Sequence, residues 1–345
     1  MALNHVFRAA RAAGIVAVGA IALSACAQSS AGTSSTAAAD GSPKLATKTH
    51  VTVLLDYFVY GAHAGIYEAM EKGYYADDNI DLEVIVPNDP VASLKYVQAG
   101  RADIGIASPL DLISADAGGS DYVSFMSLVG GNLEGIAVAG DSGITSAAQL
   151  AGKKVGTSGS VSHDAILKAQ IEGAGGDASK SDFVTVGSDF MKYLVDGQVA
   201  AVAAFKPDVE SAKAAGQDVE FLPMGTEGGL SFPSIITYTN ASTIKSKAAV
   251  IRAFVDATKR GYEAAIKDPA GAAKATVSRN AGLDAKDMQG QIEGIGDAFV
   301  GSNESFGDLD LDKLASLSKF MSDNKFIDSP LAVSKFATAT FATAK

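Results

Sequence analysis

From His50 onward the chain alternates short apolar, β-branched runs with helical stretches, in two successive series. A strand that returns through a helix to lie beside its predecessor builds a parallel sheet with helices on both faces. In the first series the runs at 51–55, 82–86 and 104–107 read as strands. A helix over about 62–72 stops at Gly73, a second runs from Asp89-Pro90 to Gly100, and a third opens at Ser108-Pro109-Leu110-Asp111. Asp or Ser before proline is a helix start, because the side chain accepts an orphan N–H and proline has none to satisfy. In the second series, from about Asp141, strands are read at 154–156, 183–186 and 199–203. Helices are read at 162–172, from Ser188-Asp189 to Gly197, and up to Gly216. The stretch 234–239 reads as a last strand, and 245–345 as helical.

The expected fold is therefore α/β and two-lobed, each lobe a doubly wound, mostly parallel sheet, with a hinge between them. The first lobe is placed at 49–140 plus the helical tail 240–345, the second at 141–239, with crossings near 134–140 and 234–240. In open α/β sheets ligands bind beyond the carboxyl ends of the strands. That points to the loops after Leu55, Ala107, Gly156 and Ala204.

The first residues read as an address rather than as part of the fold. Arg8 and Arg11 precede an apolar run over 12–23 that ends in Leu23-Ser24-Ala25-Cys26. These are the parts of a secretory signal over 1–25, and the run is about half the length of a bilayer span. Leu-Ser-Ala-Cys resembles a bacterial lipobox, which implies that Cys26 is lipidated and becomes the N-terminus; the alternative is an ordinary signal with an incidental cysteine. Residues 26–48, rich in Ala, Ser, Thr and Gly, read as a flexible tether. Cys26 is the one cysteine, so no internal disulfide and no thiol in the folded body are expected. The formal charge is −11, and −13 once Arg8 and Arg11 are removed, which disfavours a nucleic-acid partner.

The loop after the first run, from Asp56 to Tyr67, gathers Tyr57, Tyr60, Tyr67, Asp56 and His63. Flat aromatic faces beside a few polar groups suit a planar heterocycle. Asp56 accepts from ring N–H groups, and His63 donates or accepts. The plainer reading packs Ile66 and Tyr67 in the core and has His63 cap a helix. In the second lobe Ser158-Gly159-Ser160 lets backbone and hydroxyls approach a ligand at a helix start, or serves as a helix cap. Its spacing is not that of a nucleophile elbow, and Gly152-Lys153-Lys154 lacks the rest of a phosphate loop. His50, His63 and His163 show no metal-ligand spacing, and the pairs around Asp77-Asp78 and Asp308-Asp310-Asp312 read as solvated faces. No catalytic residue, metal or cofactor is expected.

Leu55-Asp56-Tyr57, His63-Ala64-Gly65-Ile66-Tyr67, Glu71-Lys72-Gly73-Tyr74-Tyr75 and Asp81-Leu82-Glu83-Val84 together resemble the N-terminal lobe of the thiamine-precursor (formylaminopyrimidine) binding proteins. That group includes pyrimidine synthases of the same fold and is related to riboflavin-, sulfonate- and nitrate-binding lipoproteins. The segment from Ala99 to Ser108 and the run Leu150-Ala151-Gly152-Lys153-Lys154-Val155-Gly156 extend the likeness, which covers most of the chain from His50 to about Asn240. The resemblance implies a type II periplasmic-binding-protein fold that closes by hinge motion. By position, Asp56, Tyr57, Tyr60, His63, Ser108 and Ser158-Gly159-Ser160 would face the cleft. Pyrimidine binders tend to carry tryptophan where this chain has Tyr57, and a Trp-Asn-Tyr-Glu run where it has Phe205-Lys206-Pro207-Asp208. Phe205 is then expected to stack, and Asp208 or Glu210 to replace the glutamate.

The implied function is a monomeric substrate-binding lipoprotein of an ABC importer, anchored through Cys26 at the outer face of the cell membrane. It would capture a heteroaromatic, vitamin-like compound, a pyrimidine or a flavin, and pass it to the permease. The first alternative is a binder of an organic sulfonate, nitrate or similar anion. Arginine suits oxyanions, yet the strand-end loops hold no Arg and one cation, Lys206. The second alternative, an enzyme like the pyrimidine synthases, needs a cysteine- and histidine-rich site in the body.

Overall fold

The computed structural model describes residues 43–87, 93–157, 159 and 161–341. Two five-stranded sheets organise them. The first has the order β2-β1-β3-β10-β4, formed by β1 (Thr49–Leu54), β2 (Ile80–Ile85), β3 (Ile104–Ala107), β4 (Tyr122–Val129) and β10 (Ile235–Asn240). The second has the order β7-β6-β8-β5-β9, formed by β5 (Glu134–Ala139), β6 (Lys154–Thr157), β7 (Asp182–Thr185), β8 (Ala201–Phe205) and β9 (Val219–Pro223). Together with the helices, this is the two-domain α/β architecture expected from the sequence.

Parallel pairing follows the strand–helix–strand pattern: β1 lies beside β2 with Val51 opposite Leu82, and β6 beside β7 with Val155 opposite Phe183. One strand in each sheet is antiparallel to both neighbours, β10 between β3 and β4 and β5 between β8 and β9. Each is the strand that follows a passage from the other sheet. The central β3 is buried along its whole length, as its unbroken apolar run requires.

Helices cover both faces of each sheet. In the first half these are α1 (Ala64–Glu71), α2 (Tyr74–Asp77), α3 (Ser93–Gln98) and α4 (Pro109–Ala117). The second sheet carries α5 (Val161–Gly173), α6 (Phe190–Val195) and α7 (Lys206–Ala214). The tail is helical as expected, through α8 (Ala241–Ser246), α9 (Ala248–Lys267), α10 (Pro269–Arg279), α11 (Ala285–Ile295), α12 (Leu311–Asp323) and α13 (Val333–Phe336). One apolar cluster joins β1, α1 and α9, through Val53, Ile66 and Phe254 among others. A second, around Leu112, Tyr238, Leu317 and Phe336, fills the opposite face of the first sheet. Two smaller clusters flank the second sheet.

Several expectations change. The stretches near 134–140 and 234–240, read as crossings, are the strands β5 and β10; the chain passes between sheets at 130–133 and 224–234. Thus β5 pairs in the second sheet and β10 in the first, across the boundaries drawn at 140 and 240. The tether reading over 26–48 fails at Leu45. That side chain is 1% exposed, its N–H donates to the Asp78 carbonyl, and its carbonyl accepts from Asn79. One large apolar residue in a small-residue stretch is enough to dock it. Asp78 is no solvated carboxylate either: it is buried and paired with Arg260, which also reaches Asp256. The signal peptide, Cys26, the Asp89-Pro90 helix start, Ser158 and Ser160 lie outside the described residues.

Candidate functional site

A pocket of about 910 Å³ takes its lining from both sheets and their helices. It lies where sheet physics places a ligand, at strand ends and helix starts. Asp56, Tyr57 and Tyr60 come from the loop after β1, and Ser108, Leu110 and Asp111 from the start of α4. Glu134 and Gly135 come from the start of β5, Ser234 from the second passage between sheets, and Ile235 from the start of β10. The second sheet contributes Ile166, Leu167 and Gln170 of α5, Phe190 of α6, and Phe205, Asp208 and Ser211 at β8 and α7; Gln291 of α11 completes the wall.

Asp56 is held from beneath. His63 Nε2 lies 2.6 Å from Asp56 Oδ1, and the Tyr60 hydroxyl donates to Oδ2 at 3.2 Å. The Tyr60 N–H donates to His63 Nδ1 at 3.4 Å. With Nδ1 accepting, Nε2 carries the proton that reaches Asp56. The loop closes in a single 3₁₀ turn, Gly61–His63. Its tightness depends on Gly61, where a Cβ would meet Gln291 Cβ at 2.8 Å, and whose N–H donates to Gln291 Oε1 at 2.9 Å. That turn directs His63 inward, fully buried, so it does not face the cleft as expected but positions Asp56 from behind.

Tyr60 packs edge-on against His63 at 4.4 Å and against Phe205 at 5.9 Å between ring centroids. Burial, and then the charge of Asp56, push its hydroxyl well above the usual tyrosine range, so it stays a donor. Tyr57 is 51% exposed at the pocket, its ring edge-on to Phe58. Ser108 caps α4 by accepting from the Leu110 N–H at 3.3 Å. Asp208 opens to the pocket's solvent, yet loss of hydration among the surrounding residues raises its carboxyl above the usual range. Its carboxylate makes no hydrogen bond among the described residues. Glu210, the alternative to Asp208, packs instead against α11, where a Cβ on Gly294 would meet its Cγ at 2.3 Å.

Of the residues expected at the cleft, Asp56, Tyr57, Tyr60, Ser108, Phe205 and Asp208 therefore converge on one pocket. Gly159, at φ +76°, is exposed and is not among the lining residues. Tyr67 is core, its hydroxyl 3.4 Å from Asn280. Lys206 uses its N–H to tie β8's end to the Leu133 carbonyl, and burial lowers its ammonium's pKa; it does not line the pocket. The sequence reading missed Asp111, Glu134, Gln170, Phe190, Ser211 and Gln291. Glu134 carried a signal, as the lone charge in the apolar run Glu134–Ala139. Gln291 carried none, because it reaches the pocket from a helix 230 residues away from Gly61. The lining carries four carboxylates, Asp56, Asp111, Glu134 and Asp208, and among the described residues no Lys or Arg. No cluster of three or more His, Cys, Asp or Glu suited to a metal occurs among the described residues.

A family model described as "NMT1/THI5 like" matches residues 61–272. Over 221 residues the chain is 26% identical to a formylaminopyrimidine-binding protein of Halalkalibacterium halodurans, covering 64% of this chain and 67% of that one. It is 27% identical over 236 residues to a 4-amino-5-hydroxymethyl-2-methylpyrimidine phosphate synthase of Candida albicans, covering 64% and 68%. Among solved structures, the periplasmic aliphatic sulphonate-binding protein of Escherichia coli superposes with a TM-score of 0.67 at 16% identity, covering 85% of this chain and 98% of that one.

Proposed function

This chain belongs to the NMT1/THI5-like family, and from that premise we propose that it is the substrate-binding protein of an ABC importer for a nitrogen heteroaromatic compound of the thiamine-precursor pyrimidine type. The observation that carries the ligand class is the charge of the pocket. Four carboxylates surround it, aromatic faces of Tyr57, Tyr60, Phe190 and Phe205 flank it, and no described lining residue is Lys or Arg. Carboxylates accept from amino and ring N–H groups, and rings stack on aromatic faces. A sulfonate or a phosphate would face like charge, with no guanidinium or ammonium among the described lining residues to receive it. The likeness to a sulphonate-binding structure is one of fold, at 16% identity.

The reading as a binder, not a synthase, is supported by the sequence: the one cysteine, Cys26, precedes the described residues. A lipid anchor at Cys26, on the outer face of the membrane beside the permease, belongs to the same proposal. Among the described residues no helix is long and apolar enough to cross a membrane. Cys26→Ala is expected to move the protein from the membrane to the soluble fraction; retention in the membrane fraction rejects the anchor.

Native mass spectrometry of protein purified from its own host tests the ligand class. A retained small molecule with the mass of an aminopyrimidine or another neutral or cationic heterocycle is expected. A retained sulfonate or other anion would reverse the assignment, and turnover of an added pyrimidine would make the chain an enzyme.

A further inference from the structure

We propose that Glu134 sets the ligand preference of this pocket: fixed by Ser234 at the passage between the sheets, its carboxylate receives an amino or ring N–H group of the heterocycle. The inference rests on the pyrimidine-type reading of the pocket and adds the residue that enforces it.

Glu134 opens β5 and lines the pocket, half-buried, while the strand behind it is apolar and buried. Ser234 stands on the other passage, just before β10, and is fully buried. Its hydroxyl donates to Glu134 Oε2 at 2.6 Å and accepts from the Leu133 N–H at 2.7 Å. Its own N–H donates to the Val129 carbonyl at 3.0 Å. A serine has one hydroxyl proton, and here it is committed to this carboxylate. Glu134 is thereby held in one orientation, by a partner itself anchored to backbone on both sides.

Two further observations place this carboxylate where a ring would meet it. Glu134 lines the same pocket as Tyr60 and Asp56, and after burial and Asp56 its charge also helps to raise the Tyr60 hydroxyl. Next to it, Gly135 leaves no room for a side chain, since a Cβ there would meet the Leu222 carbonyl oxygen at 2.4 Å. Glu134 is thus the first side chain of β5 to project at the pocket. Two carboxylates lining one pocket match the two N–H bonds of an exocyclic amino group, or that group beside a protonated ring nitrogen. A carboxylate ligated in this way does not rotate away from an incoming anion, so it rejects as well as selects.

The test is calorimetry on the folded chain with three probes. They are 4-amino-5-hydroxymethyl-2-methylpyrimidine, its analogue with hydrogen in place of the 4-amino group, and MOPS. Wild type is expected to bind the amino compound best and MOPS least. Glu134→Gln is expected to lose about tenfold to hundredfold in affinity for the amino compound and to shrink its advantage over the analogue without the amino group. Ser234→Ala is expected to shift the preference the same way, by less. Melting curves run alongside, and if Glu134→Gln does not fold, Glu134→Asp and Ser234→Ala carry the readout. Unchanged affinity and unchanged preference in the folded variants overturn the assignment while leaving the pyrimidine reading intact. Failure of the wild type to bind either pyrimidine overturns that reading, and this inference with it.

Discussion

Asp56 shows how much one residue's role depends on what stands behind it. Its position at the end of β1 was legible from the sequence, because a carboxylate followed by aromatics at a strand's carboxyl end points to a ligand. The use of His63 was not legible: a single 3₁₀ turn decides whether that ring faces the cleft or the core, and here it faces the core. With both oxygens of Asp56 receiving hydrogen bonds, the carboxylate is oriented before any ligand arrives. Asp56→Asn puts an NH₂ where His63 Nε2 or the Tyr60 hydroxyl now donates, so one of those contacts sets donor against donor. The expected outcome is a loss of roughly 1.5–3 kcal/mol in ligand affinity, or about tenfold to hundredfold, with a modestly lowered melting temperature. A lowered melting temperature with unchanged affinity would leave Asp56 as scaffold for the loop.

At the scale of elements, what makes a strand legible is an apolar run closed by a helix start. β3 and β8 are apolar runs followed by a recognisable helix start, whereas β4, apolar and buried, leads straight to β5 with no helix between, and β9 is an edge strand with partly exposed residues. β5 reads as the passage between lobes because it adjoins one, and nothing local marks a strand that inserts antiparallel into a distant sheet. Helix packing was less legible still. α1 and α9 approach so closely that a Cβ on Gly65 would lie 2.2 Å from the ring of Tyr262, and one on Gly261 would lie 2.2 Å from the Gly65 carbonyl oxygen. Tyr262 is clamped there by its hydroxyl's hydrogen bond to the Ala62 carbonyl at 2.6 Å and by stacking on Phe306 at 4.4 Å. The ring has no free direction in which to yield. Gly65→Ala is expected to destabilise the chain by roughly 1–3 kcal/mol, read as an earlier thermal or urea transition, with ligand affinity preserved while the protein is folded. A transition at the wild-type position would show that these helices pack further apart.

At the scale of the whole molecule, the alternation of strands and helices foretold two sheets, but not what ties them. Two short passages join them, and across these Asn132 Oδ1 accepts from the Phe232 N–H at 3.1 Å while Ser234 binds Leu133 and Glu134. A third tie comes from the tail. Asp287 of α11 accepts from Ser211 of α7 and from Gln291, both at 3.0 Å, and Gln291 in turn accepts from the Gly61 N–H of the β1 loop. The tail packs on the first sheet through α9 and α10, and so joins the second sheet's helix to the first sheet's ligand loop at one side of the pocket. A rotation about the two passages, with α7 and α11 kept in contact, is the closure proposed for this pocket, which is lined from one sheet by Tyr57 and from the other by Phe190. Ligand at about 100 times its Kd stabilises the folded state by about 2.7 kcal/mol. With an unfolding entropy near 2.1 cal/mol/K per residue over roughly 300 residues, the melting temperature should rise by about 4 °C. Because the pocket is lined from both sheets, the same saturation should shrink the radius of gyration measured by small-angle scattering. A melting shift without compaction would mean that one sheet alone holds the ligand, and closure would then be the wrong account of how the pocket captures it.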